Sequence, residues 1–458
     1  MRYISTRGGD TADFSTTVLA GLARDGGLFM PKDIPNVSRR LPEWRSLPYQ
    51  ELAWEIIRLY TDLPPDDLRH LIQNAYTAFT HPEITPLRRL GDIHLLELFH
   101  GPTLAFKDLA LQFLGGLFEY LLARNGGQLN ILAATSGDTG SAAIHGVRGR
   151  ERLRIFVLYP HGRISPAQEL QMITVPDSNV HTMALQGTFD DCQQIVKTLL
   201  GDLPFRDRCH LGAVNSINWA RILAQVVYYF YATFRVMKET GCTGVRFAVP
   251  TGNFGDIFAG YIAWRMGLPI RRLVLATNEN DILARFFQTG IYERGPVRAT
   301  VSPSMDIQVA SNFERYLYCR ADGDAGRLKE QMNTFAQTGR IQLPPGPEGK
   351  IDPLFCSGAA DTAATLATIR EYYNRYDNLL DPHTAAGVYV AQQFIQSDEP
   401  MICLATAHPA KFGDAVRQAV GKDLAHHPVL DNLAGLPTRR NVCPAEADAV
   451  RTFIEQRL

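Results

Sequence analysis

The stretch LNILAATSGDTGS, residues 129–141, is an apolar run that passes directly into small, hydrogen-bonding residues. A short apolar run bounded by turn residues is typical of a strand that is buried on both faces. The residues from Ala142 onward are again small and suit a helix. The stretch therefore predicts a strand, a loop and a helix in succession, which is the building unit of a parallel sheet covered by helices.

The same pattern recurs along most of the chain after about residue 95. A long helix that begins near Ser216 separates a first group of predicted strands from a second. We therefore predict an α/β fold with two open, mainly parallel sheet lobes, each with helices on both faces. The clearest predicted strands are residues 129–134, 153–159, 180–185, 245–249, 273–276 and 401–405.

The N-terminal part of the chain lacks this alternation. Apolar residues recur there at helical spacing around residues 50–60 and 65–79, which predicts a separate domain that is mixed but mainly helical. Further on, the stretch 339–350 is rich in Pro and Gly and predicts an exposed loop. The predicted domains are residues 1–95, a smaller α/β lobe at 96–220, and a larger α/β lobe with the C-terminal tail at 221–458.

Composition and charge argue against several classes of function. The 458 residues carry 46 Lys and Arg against 47 Asp and Glu, with no charged tail that would bind nucleic acid or a membrane surface. No run reaches the ~18 uninterrupted apolar residues of a membrane span, and the first residues lack a secretion signal. The seven cysteines are widely spaced and form no Cys-x-x-Cys pair. We therefore expect reduced thiols in the core and neither disulfides nor zinc ligands. We expect a cytoplasmic protein without a metal, nucleic acid, membrane or obligate protein partner.

Three of the predicted strands end in loops of small, hydrogen-bonding residues. Because ligands bind beyond the carboxyl ends of the strands in open parallel sheets, these loops are candidates for one site. The first loop suits a carboxylate or phosphate at a helix N-terminus, although its residue types also make a plain helix cap. Its residues are Thr135, Ser136, Gly137, Asp138 and Thr139.

The second and third loops follow the strands at 245–249 and 401–405. The second, PTGNFGD, has two glycines that let a phosphate approach the backbone, but it matches neither a Walker loop nor a dinucleotide motif and can equally be an ordinary turn. In the third, Thr406 can bond a heteroaromatic nitrogen, or its own backbone as most isolated threonines do.

A further candidate, Lys107, lies in the stretch HGPTLAFKD, residues 100–108, just before an apolar helix. A lysine in an apolar neighbourhood has a depressed pKa and becomes a nucleophile for Schiff-base chemistry. Most lysines on amphipathic helices are solvated instead, so Lys107 alone does not decide the chemistry.

The motifs in combination resemble the threonine synthase family, in the long form found in many bacteria and in fungi. HGPTLAFKD, TSGDTG and TGNFGD occur in the order typical of that family, and matching stretches run from about residue 3 to residue 415. The other matching stretches are YISTRGG (3–9), LARDGGL (22–28), NSINWAR (215–221), MDIQVASNFER (305–315) and DPHTA (381–385).

The resemblance implies a pyridoxal-phosphate enzyme of fold type II, with the cofactor carried on Lys107 as a Schiff base. It also implies that Thr406 meets the pyridine nitrogen and that residues 135–139 hold the substrate carboxylate. Shorter relatives often have Asn in place of Asp138, which leaves the contact of Asp138 open. The cofactor phosphate would lie against Gly252, Asn253, Phe254, Gly255 and Asp256.

The reaction implied by the resemblance is the last step of threonine biosynthesis. O-phospho-L-homoserine would lose phosphate from Cγ and gain water at Cβ to give L-threonine, with Lys107 moving the protons. The leaving phosphate needs cations and N–H donors, although the candidates can also be a helix cap and a surface arginine. These candidates are Asn215, Ser216, Asn218 and Arg221.

Two alternatives share the predicted fold, although the related lyases typically lack the long N-terminal domain. One is another lyase of this fold type, such as a serine or threonine dehydratase or a β-replacement enzyme. The other is a binding protein that has kept the fold without catalysis. The intact Lys107 and the three loops argue against the second alternative.

Overall fold

The strands of the chain form four sheets in the computed structural model, which describes residues 1–346 and 349–458. The strands are β1 (Tyr3–Ser5), β2 (Thr11–Ala12), β3 (Phe29–Pro31), β4 (Leu87–Leu90), β5 (Ile93–Glu97), β6 (Leu129–Ala134), β7 (Leu153–Pro160), β8 (Val180–Gln186), β9 (Leu211–Gly212), β10 (Val245–Pro250), β11 (Ile270–Thr277), β12 (Ile291–Glu293), β13 (Arg340–Gln342), β14 (Phe355–Ala359), β15 (Met401–Ala405) and β16 (Asn441–Pro444).

Helices cover both faces of the two larger sheets and form most of the N-terminal region. The α-helices are α1 (Phe14–Ala20), α2 (Leu41–Trp44), α3 (Tyr49–Ile57), α4 (Pro65–Tyr76), α5 (Lys107–Asn125), α6 (Asp138–Val147), α7 (Pro166–Ile173), α8 (Phe189–Gly201), α9 (Leu203–Arg208), α10 (Trp219–Thr240), α11 (Gly255–Arg265), α12 (Ile282–Thr289), α13 (Phe313–Arg320), α14 (Ala325–Thr338), α15 (Thr362–Tyr376), α16 (Pro382–Gln392), α17 (Gly413–Val420), α18 (Pro428–Asp431) and α19 (Ala447–Glu455).

Both α/β lobes are built on mainly parallel sheets. The smaller lobe has strand order β16-β8-β7-β6-β9, with every pair parallel. The larger lobe has order β14-β11-β10-β15-β5-β4, and only the edge pair β4–β5 is antiparallel. This confirms the predicted fold class.

Close packing of α5 on α6 brings the starts of these two helices together. The packing requires glycine, because a Cβ on Gly115 would lie 2.0 Å from the carbonyl oxygen of Gly146. A Cβ on Gly146 would in turn lie 2.5 Å from the carbonyl oxygen of Leu111. The first residues of the two helices, Lys107 and Asp138, therefore lie near each other in the interior of the molecule.

The lobes exchange strands along the chain. β4 and β5 precede the smaller lobe in sequence but lie in the larger sheet, and β5 crosses the proposed limit at residue 95. At the other end, β16 pairs with β8 of the smaller lobe, and α19 packs on α8. The C-terminal tail thus packs on the sheet of the smaller lobe. The domain limits drawn from the sequence stay a prediction.

One local expectation was wrong. The stretch 339–350 was expected to be a loop throughout, but β13 begins at Arg340 and pairs antiparallel with β12. Pro347 and Glu348, in the same stretch, lie outside the described residues. Among the residues that the structure describes, no helix is long and apolar enough to span a membrane.

Candidate active site

Lys107 is the first residue of α5 and is buried. Its ammonium nitrogen lies 4.7 Å from the centre of the Phe106 ring and 3.4 Å from Oδ2 of Asp138. Burial lowers the pKa of Lys107, while the Asp138 carboxylate acts in the opposite direction. The lysine is therefore not a solvated surface residue, and its amine is poised to act as a nucleophile or base.

The loop between β6 and α6 presents unused backbone donors. Thr135 Oγ1 accepts hydrogen bonds from the N–H groups of Gly137, at 2.9 Å, and Gly140, at 2.8 Å, which fixes the turn. Within the described part of the chain, the N–H groups of Ser136, Asp138 and Thr139 donate to no protein acceptor. Free N–H groups at a helix N-terminus form a site for a carboxylate or another anion.

Asp138 is bonded on both oxygens. Its Oδ1 lies 2.9 Å from the Lys411 ammonium and accepts a hydrogen bond of 2.8 Å from Gln168 Nε2, while Oδ2 faces Lys107. Burial alone would raise the pKa of Asp138, but the charges of Lys411 and Lys107 hold it well below its usual range. Asp138 is therefore an ionised carboxylate.

The loop between β10 and α11 forms a second cradle of backbone donors. Asn253 Oδ1 accepts from the Gly255 N–H at 2.8 Å, and Phe254 adopts a left-handed conformation with φ of 66°. None of the N–H groups of Gly252, Asn253 and Phe254 meets an acceptor among the described residues. A Cβ on Gly252 would lie 2.7 Å from the Ser304 carbonyl oxygen, so glycine is required where this loop passes Ser304.

Asp256, in the first turn of α11, is a buried carboxyl with a mixed environment. Tyr228 donates to its Oδ1 at 2.5 Å and Tyr229 at 3.0 Å, but no described residue donates a hydrogen bond to Oδ2. Burial raises the pKa of Asp256 to about 6, although the two tyrosine hydrogen bonds oppose the shift. Asp256 therefore exchanges its proton close to neutral pH.

Thr406 follows β15 and makes backbone hydrogen bonds with the residue before α5 and with the first turn of α16. Its carbonyl oxygen accepts from the Phe106 N–H at 2.8 Å, and its own N–H donates to Thr384 Oγ1 at 3.2 Å. Its hydroxyl takes no protein partner among the described residues. A free hydroxyl is thereby held beside Lys107, as a heteroaromatic nitrogen would require.

These segments line one cavity with about 470 Å³ of empty space. Lys107, Asp138 and Thr406 lie on its wall together with residues 250–256. His383 lines it too; its Nε2 accepts from the Ser304 N–H at 3.1 Å and its Nδ1 lies 2.9 Å from Asp381 Oδ1. The three loops singled out in the sequence therefore contribute to one site.

The four candidates for the phosphate-leaving end differ in their surroundings. Arg221 is buried and donates from Nη1 to the Val214 carbonyl at 3.2 Å, while its Nε has no partner in the described part of the chain. Asn218 uses both ends of its amide, accepting from the Ala220 N–H and donating to the Val18 carbonyl. Ser216 Oγ lies 3.2 Å from Ser311 Oγ, and Asn215 is half-buried.

Comparison with known proteins matches three family models along the chain. The model described as threonine synthase N terminus covers residues 2–76, pyridoxal-phosphate dependent enzyme covers 79–345, and threonine synthase, C-terminal, covers 384–454. A threonine synthase of Schizosaccharomyces pombe is 47% identical over 457 residues, covering 91% of this chain and 89% of the relative. The chain belongs to the threonine synthase family.

Other members of the family match over the whole chain. A threonine synthase of Pseudomonas aeruginosa is 44% identical, covering 100% of this chain and 98% of the relative. The crystal structure of a pyridoxal-phosphate-bound threonine synthase from Brucella melitensis has a TM-score of 0.93 and 44% identity, covering 100% of this chain and 99% of that one. The resemblance and the cofactor class drawn from the motifs are confirmed, and another lyase or a non-catalytic relative is not favoured.

Three residues of this threonine synthase family site were missed in the sequence. His383 lies in the DPHTA stretch and Lys411 follows Thr406 by five residues, but a lysine after a strand and a histidine after a proline carry no signal of burial. Gln168 lies in α7, outside every motif. Packing of α7 on α6 within the smaller lobe brings Gln168 to Asp138, whereas Lys411 and His383 reach Asp138 and the cavity from the larger lobe.

Proposed function

We propose that this chain converts O-phospho-L-homoserine and water to L-threonine and phosphate, with pyridoxal phosphate carried on Lys107. The observation that carries the proposal is the meeting, in one cavity, of a buried Lys107, the free N–H groups of residues 252–254 and the unpartnered Thr406 hydroxyl. These groups match an aldehyde, a phosphate and a pyridine nitrogen respectively.

The residues present fit the cofactor. Gly252, Asn253, Phe254 and Gly255 would hold its phosphate at the start of α11, with Asp256 beneath them. Thr406 would face its ring nitrogen; a hydroxyl there leaves that nitrogen largely unprotonated. When bound, pyridoxal phosphate supplies an electron sink that acidifies the hydrogens beside the amino group of the substrate.

Lys107 is the residue that moves protons in this proposal. Its amine nitrogen stands on a flexible stem, so one group can reach both Cα and Cβ of a substrate held in the cavity. Burial favours the neutral amine, which is the form that accepts a proton. Asp138, 3.4 Å away, then stabilises the ammonium that results.

The remaining loops would hold the two anionic ends of the substrate. The N–H groups of residues 135–139 would bind the α-carboxylate. At the phosphate-leaving end, Arg221 has an unused N–H and Asn215 and Ser216 lie just before it in sequence. The amide of Asn218 is already committed, so we assign it the task of starting α10 and thereby orienting Arg221.

The test is phosphate release from O-phospho-L-homoserine by the purified, cofactor-loaded protein. We expect wild type to release phosphate and form threonine in equal amounts, and Lys107→Ala to lose at least ~10³-fold in rate, because the base is gone. Lys197→Ala, on the exposed face of α8, is the matched control and should retain wild-type rate. Absence of phosphate release by loaded wild type would reject the proposal.

The same assay separates the alternatives. A dehydratase would instead release ammonia from serine or threonine, and a β-replacement enzyme would act on phosphoserine. We also propose a cytoplasmic location, since the seven cysteines are free thiols in the structure. Fractionation of cells with an antibody to the protein would check it.

A further inference from the structure

We propose that Lys411 is a positioning residue for Lys107: it takes a share of the Asp138 carboxylate and so lets the Lys107 amine give up its proton. The inference deepens the proposed function, in which Lys107 acts as a base, but its test does not depend on which substrate is used.

The cluster joins the two lobes. Asp138 belongs to α6 of the smaller lobe, and Lys411 follows β15 of the larger. Asp138 Oδ1 is 2.9 Å from Lys411 Nζ, and Oδ2 is 3.4 Å from Lys107 Nζ. One carboxylate thus faces two ammonium groups, and its shorter contact is with Lys411.

The Lys411 ammonium has little freedom to move. The side chain is completely buried, and Nζ also donates to the Thr103 carbonyl oxygen at 2.7 Å. Thr103 is itself held by Asp108, which accepts from its N–H at 2.8 Å and from its hydroxyl at 2.6 Å. The backbone of Lys411 is fixed from the smaller lobe by Ser165 Oγ, which donates to its carbonyl oxygen at 3.1 Å.

The charges of the cluster do not balance while both lysines are protonated. Two buried ammonium groups then share one carboxylate, and Arg221 adds a further positive charge. Loss of the Lys107 proton removes this repulsion at the lowest free-energy cost, because Lys411 has the closer contact with Asp138 and an additional carbonyl acceptor.

The other titratable groups near this cluster do not replace Lys411. Asp256 faces Lys107 from α11 and His383 faces Asp138 from α16. The Asp256 carboxyl already accepts from two tyrosines, and His383 is held between Asp381 and the Ser304 N–H. Without Lys411, Asp138 would have Lys107 as its only lysine partner and would hold the Lys107 proton.

The experiment measures the pH at which Lys107 becomes reactive. The cofactor-free full-length chain is pulsed with acetic anhydride at a series of pH values, and acetylation of Lys107 is quantified by peptide mass spectrometry. For Lys411→Met we expect the midpoint to rise by about one pH unit or more, which is a roughly tenfold loss of reactivity at a pH below both midpoints. Lys411→Arg should stay near wild type, and Lys197→Met, on an exposed helix face, serves as the control for loss of a lysine.

A double variant keeps the test decisive if Lys411→Met folds poorly. Asp138→Asn with Lys411→Met removes both partners of the buried pair, so no carboxylate remains to hold the Lys107 proton. We expect its midpoint to lie at or below that of wild type. A wild-type midpoint in folded Lys411→Met, or an equally raised midpoint in the double variant, would overturn the inference.

The cofactor-loaded chain gives a second readout that is independent of turnover. The pH midpoint of its visible absorbance change should rise in Lys411→Met and stay in Lys411→Arg. If wild type releases no phosphate from O-phospho-L-homoserine but these midpoints still respond to Lys411, the proposed function fails and the role of Lys411 stands. If phosphate is released but neither midpoint moves, the role of Lys411 fails alone.

Discussion

Three carboxyl groups at the site differ in protonation because their partners differ. Asp138 faces two lysines and stays ionised far below its usual range, since attraction outweighs the cost of burial. Asp108 and Asp256 are equally buried, and burial raises the pKa of each to about 6 because their hydrogen bonds come largely from neutral donors. One residue type therefore supplies both a fixed negative charge and groups that hold a proton near neutrality.

Asp256→Asn should change the pH dependence of stability. Burial raises the pKa of Asp256 to about 6 in the folded chain. Its contribution to the stability of the fold is therefore complete at a pH below its pKa in the unfolded chain, and is lost as the pH rises through 6. Between pH 4 and pH 7, wild type should therefore lose about 2 kcal/mol relative to the variant. Urea unfolding of both cofactor-free chains measures this, and parallel pH profiles would show that Asp256 ionises freely.

Gly137→Ala should shift the position of Asp138 while leaving its carboxylate intact. Gly137 has a φ of 132°, and a Cβ there would lie 2.3 Å from Cδ of Gln168, the amide that bonds Asp138. We expect a loss of ~3 kcal/mol in stability from backbone strain and overlap, and a large fall in activity. Gly201→Ala, in open space at the end of α8, should change the thermal midpoint little; equal effects at the two sites would contradict the assignment.

The first residues of three helices contribute much of the site. α5 begins at Lys107, α6 at Asp138 and α11 at Gly255, so rigid elements aim the reactive side chains and free N–H groups at one cavity. α10 begins in a similar way: Asn218 caps it, and Arg221, which we propose for the phosphate-leaving end, lies in its first turn.

Asn218→Ala should therefore affect substrate binding through the helix. The change removes the 3.0 Å bond from the Ala220 N–H and the 2.8 Å bond to Val18, costing about 2 kcal/mol. Because Arg221 is reoriented, kcat/KM for O-phospho-L-homoserine should fall at least ~10-fold. Asp324→Ala removes the cap of α14 and is the control. A fall of similar size in that variant would show that activity follows stability alone.

How far the sequence predicts these elements depends on their burial pattern. The bounds of β6 and β15 match the predicted strands because both are mainly apolar runs between turn residues. β4, Leu-Arg-Arg-Leu, and the two-residue β9 carry no such run, and pairing with a neighbour alone makes them strands. The same distinction holds within the site: Lys107 was predicted because its apolar helix follows it in sequence, whereas the burial of Lys411 comes from the other lobe.

At the scale of the whole molecule, Arg315 ties three regions of the chain together. This completely buried guanidinium donates to the Phe29 carbonyl from Nε and Nη2, at 3.2 and 3.0 Å, and to the Ile217 carbonyl at 2.5 Å. Its Nη1 donates to Asn312 Oδ1 at 2.5 Å. Asn312 in turn donates its N–H to the Asn253 carbonyl in the proposed phosphate cradle, so the N-terminal region and this cradle share one support.

Arg315→Lys should loosen that support, although the positive charge is kept. An ammonium cannot reproduce the planar fork that serves three acceptors, and an incompletely bonded charge in this position should cost about 3 kcal/mol or more. We expect a lower thermal midpoint, faster proteolytic release of the N-terminal region, and weaker binding of pyridoxal phosphate as Asn312 and Asn253 shift. Arg320→Lys, exposed at the end of the same helix, is the matched control and should leave all three measurements unchanged. If Arg315→Lys lowered the midpoint but left cofactor affinity at the wild-type value, the N-terminal region would be tied to the fold without supporting the cradle.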